Sequence, residues 1–110
     1  MTVAVPVSGG KLSSHFGHCE QFALFTITDR SVSARQDLVP PPHEPGVLPR
    51  WLKEKGVDLV IAGGMGQRAQ ALFQQEGIEV LCGAPPEDPG EAVQKYLSGG
   101  LEIGDNACDH

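Results

Sequence analysis

Hydrophobic residues follow two rhythms along the chain. Val57 to Ala62 is a short unbroken run of β-branched and aliphatic residues, the pattern of a strand buried on both faces. Beyond Gly63-Gly64-Met65-Gly66 the apolar positions recur at Met65, Ala69, Leu72 and Phe73, which is helical spacing, and Gly77 supplies the stop. Ile78 to Leu81 reads as the next strand, so this central stretch predicts a βαβ unit. Upstream, Thr2 to Val7 is a first strand. Gln21 to Thr28 is a second, with Phe22, Leu24 and Thr26 on one face and Phe25 and Ile27 on the other. Asp29-Arg30 makes a tight turn into a third strand, Ser31 to Val39. There Val32, Ala34 and Leu38 share one face against Ser33, Arg35 and Asp37, the pattern of an edge strand with one wet face. A helix starting near Gly46 buries Val47, Leu48, Trp51 and Leu52, holds Pro49 in its first turn, and ends at Gly56. Asp88-Pro89-Gly90-Glu91 is a capping-box pattern opening a last helix that buries Ala92, Val93, Tyr96 and Leu97 and stops at Gly99-Gly100.

The predicted order is βββαβαβα. Hairpin connections followed by right-handed crossovers imply an α/β fold with a mixed five-stranded sheet. Its expected strand order is 3-2-1-4-5, with the second strand alone antiparallel and helices on both faces. Residues 1–100 are expected to form one domain, since 110 residues suit one core and not two. Residues 101–110 are expected to be a flexible C-terminal tail. No run approaches the ~20 apolar residues of a membrane span, and Met1 leads almost directly into a strand with no visible signal peptide, so a cytoplasmic location is expected. Three cysteines in a reducing compartment more readily stay free or bind metal than pair. A net charge of −6 argues against a nucleic-acid partner, which needs a basic face.

This topology concentrates the candidate chemistry. The first, third, fourth and fifth strands end at one edge of the sheet and the second begins there. The loop Ser8 to Cys19, the stiff loop Pro40 to Pro45, the Gly63–Gly66 turn and Cys82-Gly83 should therefore share one rim, where open α/β sheets bind ligands. His15, His18 and Cys19 place three soft or borderline metal ligands within five residues. They suit zinc, copper, iron or sulfur-containing clusters better than magnesium or calcium. The plainer alternative makes His15 and His18 hydrogen-bonded loop residues and Cys19 a small buried hydrophobe. His43 lies among prolines and is solvated unless a ligand bridges to it; Cys82 reads as core; Cys108 and His110 either close over a metal or fray. Gly64 to Ala69 fits G-x-G-x-x-A, yet the following strand runs into Cys82-Gly83 without the acidic residue that holds a ribose. A dinucleotide site, a packing turn and a site for another anion all remain open here. The glycines would allow positive φ and close approach of a ligand, with the helix amino terminus, Lys11 and Arg68 as further anion donors. No G-x-S-x-G or H-E-x-x-H is present, the first strand carries no carboxylate for a nuclease magnesium site, and Cys19 beside His18 is the sole conceivable nucleophile pair. Enzymatic activity is not expected.

With His15-Phe16-Gly17, His43, Gly46, the run Val57 to Ala69, Gly77-Ile78 and the Ala92, Leu97, Gly100 pattern in view, the chain resembles the dinitrogenase iron–molybdenum cofactor biosynthesis family. The likeness covers nearly the whole chain, and Ala62-Gly63-Gly64-Met65-Gly66 together with His15-Phe16-Gly17 is its most specific part. The family includes carriers of nitrogenase cofactor precursors and the small orange protein, which holds a molybdenum–copper sulfide cluster. The resemblance implies a ribonuclease H-like fold without its catalytic acids. It also implies non-enzymatic binding or delivery of an anionic metal–sulfur cluster, and cofactor-assembly or acceptor proteins as partners. On this reading Ser8, Gly9, Lys11, Gly63, Gly64, Met65, Gly66 and Arg68 cradle the cluster, and His15, His18, Cys19 and His43 are the metal ligands to test, with His15 foremost. The alternative is a nucleotide- or anion-binding regulatory module built on Gly64–Ala69.

Overall fold

The central strand, Thr2–Ser8 (β1), has Val3, Ala4, Val5 and Val7 buried, because it lies between two neighbours and under helices on both sides. The computed structural model describes residues 1–13, 16, 19–42 and 46–100. Its further elements are β2 (Lys11–Leu12), β3 (Gln21–Thr28), β4 (Ser31–Leu38), α1 (Val47–Glu54), β5 (Leu59–Ile61), α2 (Gln67–Gln75), β6 (Glu79–Leu81) and α3 (Pro89–Ser98). The expected tail, 101–110, lies outside the described residues, as do His15, His18 and His43.

Among the described residues the result is a mixed α/β arrangement of six strands and three helices. The long path runs β4-β3-β1-β5-β6, and β2 pairs with β1 off that path. This corrects the five-stranded expectation in two respects: a sixth strand is inserted after the first, and two strands, β2 and β3, run antiparallel to β1. The extra strand arises from Gly9-Gly10. Both glycines adopt left-handed conformations, with φ of 60° and 79°, and so close a two-residue hairpin that pairs Ser8 with Lys11 and Val7 with Leu12. What reads as an open glycine loop is a β-turn.

A second correction concerns β4. Thr26 pairs with Ala34 and Ile27 with Val32, so Ser33 is an extra residue in the ladder. Its hydroxyl donates to the Thr26 carbonyl at 3.2 Å. A bulge shifts the side-chain alternation by one position. Val32 therefore packs on one face of the sheet and Leu38 on the other, where a regular strand would hold them together, and Ala34 is exposed.

Two cores sandwich the sheet. On one face Val3, Val5, Phe25, Ile27, Leu59 and Ile61 meet Ala92 and Val93 of α3. On the other, Ala4, Phe22, Leu24 and Val60 meet Leu48 and Leu52 of α1 and Phe73 of α2. The alternation of β3 divides its residues between these cores as its sequence pattern requires, apart from Thr26, which is exposed at the bulge. Pro49 lies in the first turn of α1 and is buried. At α3 the Asp88 carboxylate accepts from the Glu91 N–H at 3.1 Å, with Pro89 as the first helical residue.

The Gly9-Gly10 turn generates a test. Nothing stands within 4 Å of a Cβ added at Gly10, so a substitution there meets backbone strain alone. Gly10→Val is expected to cost about 1–2 kcal/mol in denaturant unfolding and Gly10→Asn much less, because asparagine tolerates left-handed φ. Equal losses for the two would place the energetic cost elsewhere than in the turn.

Candidate functional site

Strand register fixes which loops meet. Val7 pairs with Gln21 and Phe22 with Leu38, so the exit of β1, the entry of β3 and the exit of β4 are level. The exits of β5 and β6 lie on the same rim, paired at Ile61 and Leu81. Beyond them the Gly83 N–H donates to the Gly63 carbonyl, and the Ala84 N–H to the Ala62 carbonyl at 3.0 Å.

The loop between β2 and β3 is pinned to this rim by Phe16. Its N–H donates to the Gly64 carbonyl at 2.9 Å, and its ring packs edge-on against Phe22, 5.7 Å between centroids, and Phe73, 5.4 Å. The ring is almost wholly buried. His15 and His18 flank this anchor in sequence and lie outside the described residues, as does His43. The Gly63–Gly66 turn meets the loop backbone to backbone. Gly63 and Gly64 are buried and are not among the residues at positive φ, and Gly66 is extended at φ −65° and ψ 155°. Left-handed geometry is therefore not what these glycines supply; their carbonyls accept from the backbones of Phe16 and Gly83.

All three helices begin at this rim, because each follows a strand that ends there. Their amino termini differ. α3 is closed by Asp88 and has Glu91 in its first turn. α1 begins at Gly46 and α2 at Gly66, neither with a side-chain cap and neither with an acidic residue in its first turn. Arg68 is exposed in the first turn of α2. The open helix ends share the face that holds Phe16, and the closed one lies on the opposite face. Among the described residues, no carboxylate caps the positive ends of these two helix dipoles or stands in their first turns.

The expected cradle is divided by this arrangement. Gly63, Gly64, Gly66 and Arg68 lie at the open end of α2. Met65 lies there too, but its side chain is buried in the core, and its carbonyl accepts from the Gln70 side chain at 2.9 Å. Ser8, Gly9 and Lys11 belong to the β1–β2 hairpin. That hairpin leans to the α3 side, where Leu12 joins the core and its N–H donates to the Glu87 carbonyl at 2.8 Å. The Gly9 N–H is already taken by the Glu20 carboxylate at 2.6 Å, and the Ser8 hydroxyl lies 3.5 Å from that of Ser13. Topology alone places both sets at one rim; only the packing of Leu12 and Phe16 on opposite faces shows that they diverge.

Cys19 is half-buried against the core beneath Phe16, and Cys82 is half-buried on the same core at the end of β6. Burial pushes the Cys19 thiol up to about 11, only partly opposed by a backbone hydrogen bond. This is the reverse of the activation a cysteine nucleophile needs. Among the described residues no group of three or more His, Cys, Asp or Glu side chains is placed to hold a metal ion.

Comparison with known proteins places this geometry in context. The family model described as "Dinitrogenase iron-molybdenum cofactor" matches residues 1–99. An uncharacterised protein of Methanocaldococcus jannaschii, MJ0580, is 30% identical over 93% of this chain and 90% of its own. The crystal structure of PH0822 superposes with a TM-score of 0.87 at 29% identity, covering 94% of both chains. The apo form of the orange protein from Desulfovibrio gigas superposes at 0.77 with 22% identity, over 96% of this chain and 93% of that one, a likeness of fold.

The buried thiol gives a pH test. The folded protein holds the Cys19 proton more tightly than the unfolded chain, whose thiol titrates near 9.0. The stability tied to the neutral thiol is therefore intact below pH 9 and is lost as the pH rises toward about 11. In a Cys82→Ala, Cys108→Ala background, the alkylation rate of Cys19 should reach half its maximum near 11. A midpoint near 9 would mean a solvated thiol.

Proposed function

The chain belongs to the dinitrogenase iron–molybdenum cofactor family, and from that membership we propose that it binds and carries an anionic metal–sulfur cluster without transforming it. The cargo is an iron–molybdenum cofactor precursor or a molybdenum–copper sulfide, passed to or from a cofactor-assembly or acceptor protein. The observation that carries this reading is the pair of uncapped helix amino termini beside the Phe16-anchored loop. A protein of net charge −6 repels sulfide-rich anions in general. It therefore needs one place where backbone N–H groups and a cation outweigh its carboxylates, and the start of α2 with Arg68 is such a place.

In this proposal His15 bonds metal directly at one end of the cluster, as the imidazole nearest in sequence to the Phe16 anchor. Gly64 and Gly66, the first turn of α2 and Arg68 receive its anionic sulfides. His18 and His43 are secondary ligands. Cys19 takes part only if binding of a metal displaces its proton, since the thiol is otherwise neutral. The α3 side of the rim, with Glu87, Asp88 and Glu91, is left out of the site.

Reconstitution supplies the test. The protein is mixed with thiomolybdate and a copper salt, or with an isolated iron–sulfur cofactor precursor, and desalted. Stoichiometric charge-transfer absorption that stays with the protein is expected. Tight nucleotide binding in calorimetry without any cluster uptake would overturn the proposal in favour of a regulatory module. His15→Ala should lose most of the retained cluster on gel filtration while stability changes by less than ~0.5 kcal/mol; His43→Ala should lose less. Gly66→Asp should separate the two roles of the α2 terminus. A carboxylate there caps the helix and holds or raises the melting temperature, yet it opposes an incoming anion, so retention should fall. Unchanged retention in both His15→Ala and Gly66→Asp would move the site elsewhere.

A further inference from the structure

β4 is the outer strand of the sheet, and among the described residues no strand pairs with its free edge. Which backbone groups line that edge follows from β3. The Ile27 N–H donates to the Met1 carbonyl at 2.8 Å on the β1 side, so Phe25 and Ala23 also face β1, while Leu24 and Phe22 face β4. Their partners Gln36 and Leu38 therefore turn their backbone groups inward. Arg35 and Asp37 turn theirs outward. Edge strands are guarded by bulges and charges, and β4 has both. Yet the bulge lies at Ser33, next to the hairpin end, and leaves Ala34 to Leu38 regular. The charges are of opposite sign, two residues apart, bridged to each other at 2.9 Å with side chains 41% and 43% exposed. Val39, directly beyond the strand, is 73% exposed.

That spacing complements itself. In an antiparallel two-fold pairing of β4 with a second copy, outward-facing residues must oppose outward-facing residues. A register centred on Arg35 sets Arg35 against its own copy, and one centred on Asp37 sets Asp37 against its own. Only a register centred on Gln36 sets Arg35 opposite Asp37 of the second copy, twice over, as hydrogen-bonded pairs. It also brings Ala34 opposite Leu38, and Val39 opposite Ser33. We propose that this free edge is a homodimerisation surface, through which two copies join β4 to β4 antiparallel with the axis at Gln36. The intrachain Arg35–Asp37 bridge is then exchanged for two cross-strand ones. This pairing does not depend on the cargo.

Sedimentation velocity of the full chain over a dilution series reads the outcome directly. The wild type is expected to approach twice its 11.7 kDa mass as concentration rises. Arg35→Asp and Asp37→Arg each place like charges across the axis, and each alone should raise the dissociation constant roughly tenfold or more. An equimolar mixture of those two variants restores opposite charges at both positions and should return to the wild-type dimer mass. Matching thermal melts show that the exposed substitutions leave each fold intact. A wild type that stays monomeric at every concentration, single variants that dimerise as the wild type does, or a mixture that stays monomeric would each overturn the proposal.

Discussion

The ring of Phe16 sits between Phe22 of β3 and Phe73 of α2, and its backbone N–H reaches the Gly64 carbonyl. Edge-to-face aromatic contacts favour a definite geometry in addition to buried area, so this one residue holds a long connection against the end of the central βαβ unit. Both neighbouring rings belong to the same face of the sheet. The chain has just left the other face at Leu12, with the Ser13 N–H bonded to the Pro6 carbonyl at 2.8 Å as it passes over β1. Where Phe16 is tethered, and on which side of the rim, follows from that crossing.

The electrostatics of the rim follow from the same division. On the α3 side the carboxylates have partners: Asp88 caps the helix, and Glu87 accepts from the Lys95 ammonium at 2.6 Å. On the α1 and α2 side no such partner stands among the described residues. A capping side chain contributes about 1 kcal/mol, and two of the three helices forgo it on the face where the loop docks. This asymmetry is an electrostatic reason to look for an anion there.

Much of the architecture was legible because each signal was local. The doubly buried run at Val57 to Ala62, the two-faced pattern of Gln21 to Thr28 and the Asp88 capping box each act through neighbouring residues. Gly9-Gly10 was equally local, since two glycines between Ser8 and Lys11 are a known two-residue hairpin signal, and reading them as loop missed β2. The bulge at Ser33 was not legible: it depends on how β4 lies along β3, and its sequence alternates well enough for a regular strand. The buried glycines at 63 and 64 invite the common reading of left-handed turns, yet neither has a positive φ. For the site, topology was enough to bring the loops to one rim. Only packing shows that the Ser8–Lys11 hairpin and the Gly63–Arg68 segment lean to opposite faces.

The central position of β1 sets an order of events during synthesis. β1 pairs with β3, close behind it in sequence, but its other neighbour is β5, where Val3 meets Leu59. The Phe16–Gly64 bond likewise joins residues separated by almost half the chain. Contacts of such separation form late, because loop-closure entropy must be overcome first. A nascent chain emerging from a ribosome can complete the β1–β3–β4 meander early. It cannot dock the loop between β2 and β3 until Phe73 of α2 has followed. The α2 side of the rim is therefore completed only once the segment through Phe73 has been made, well after the β1–β3–β4 meander, and any cargo that needs it must be loaded later still.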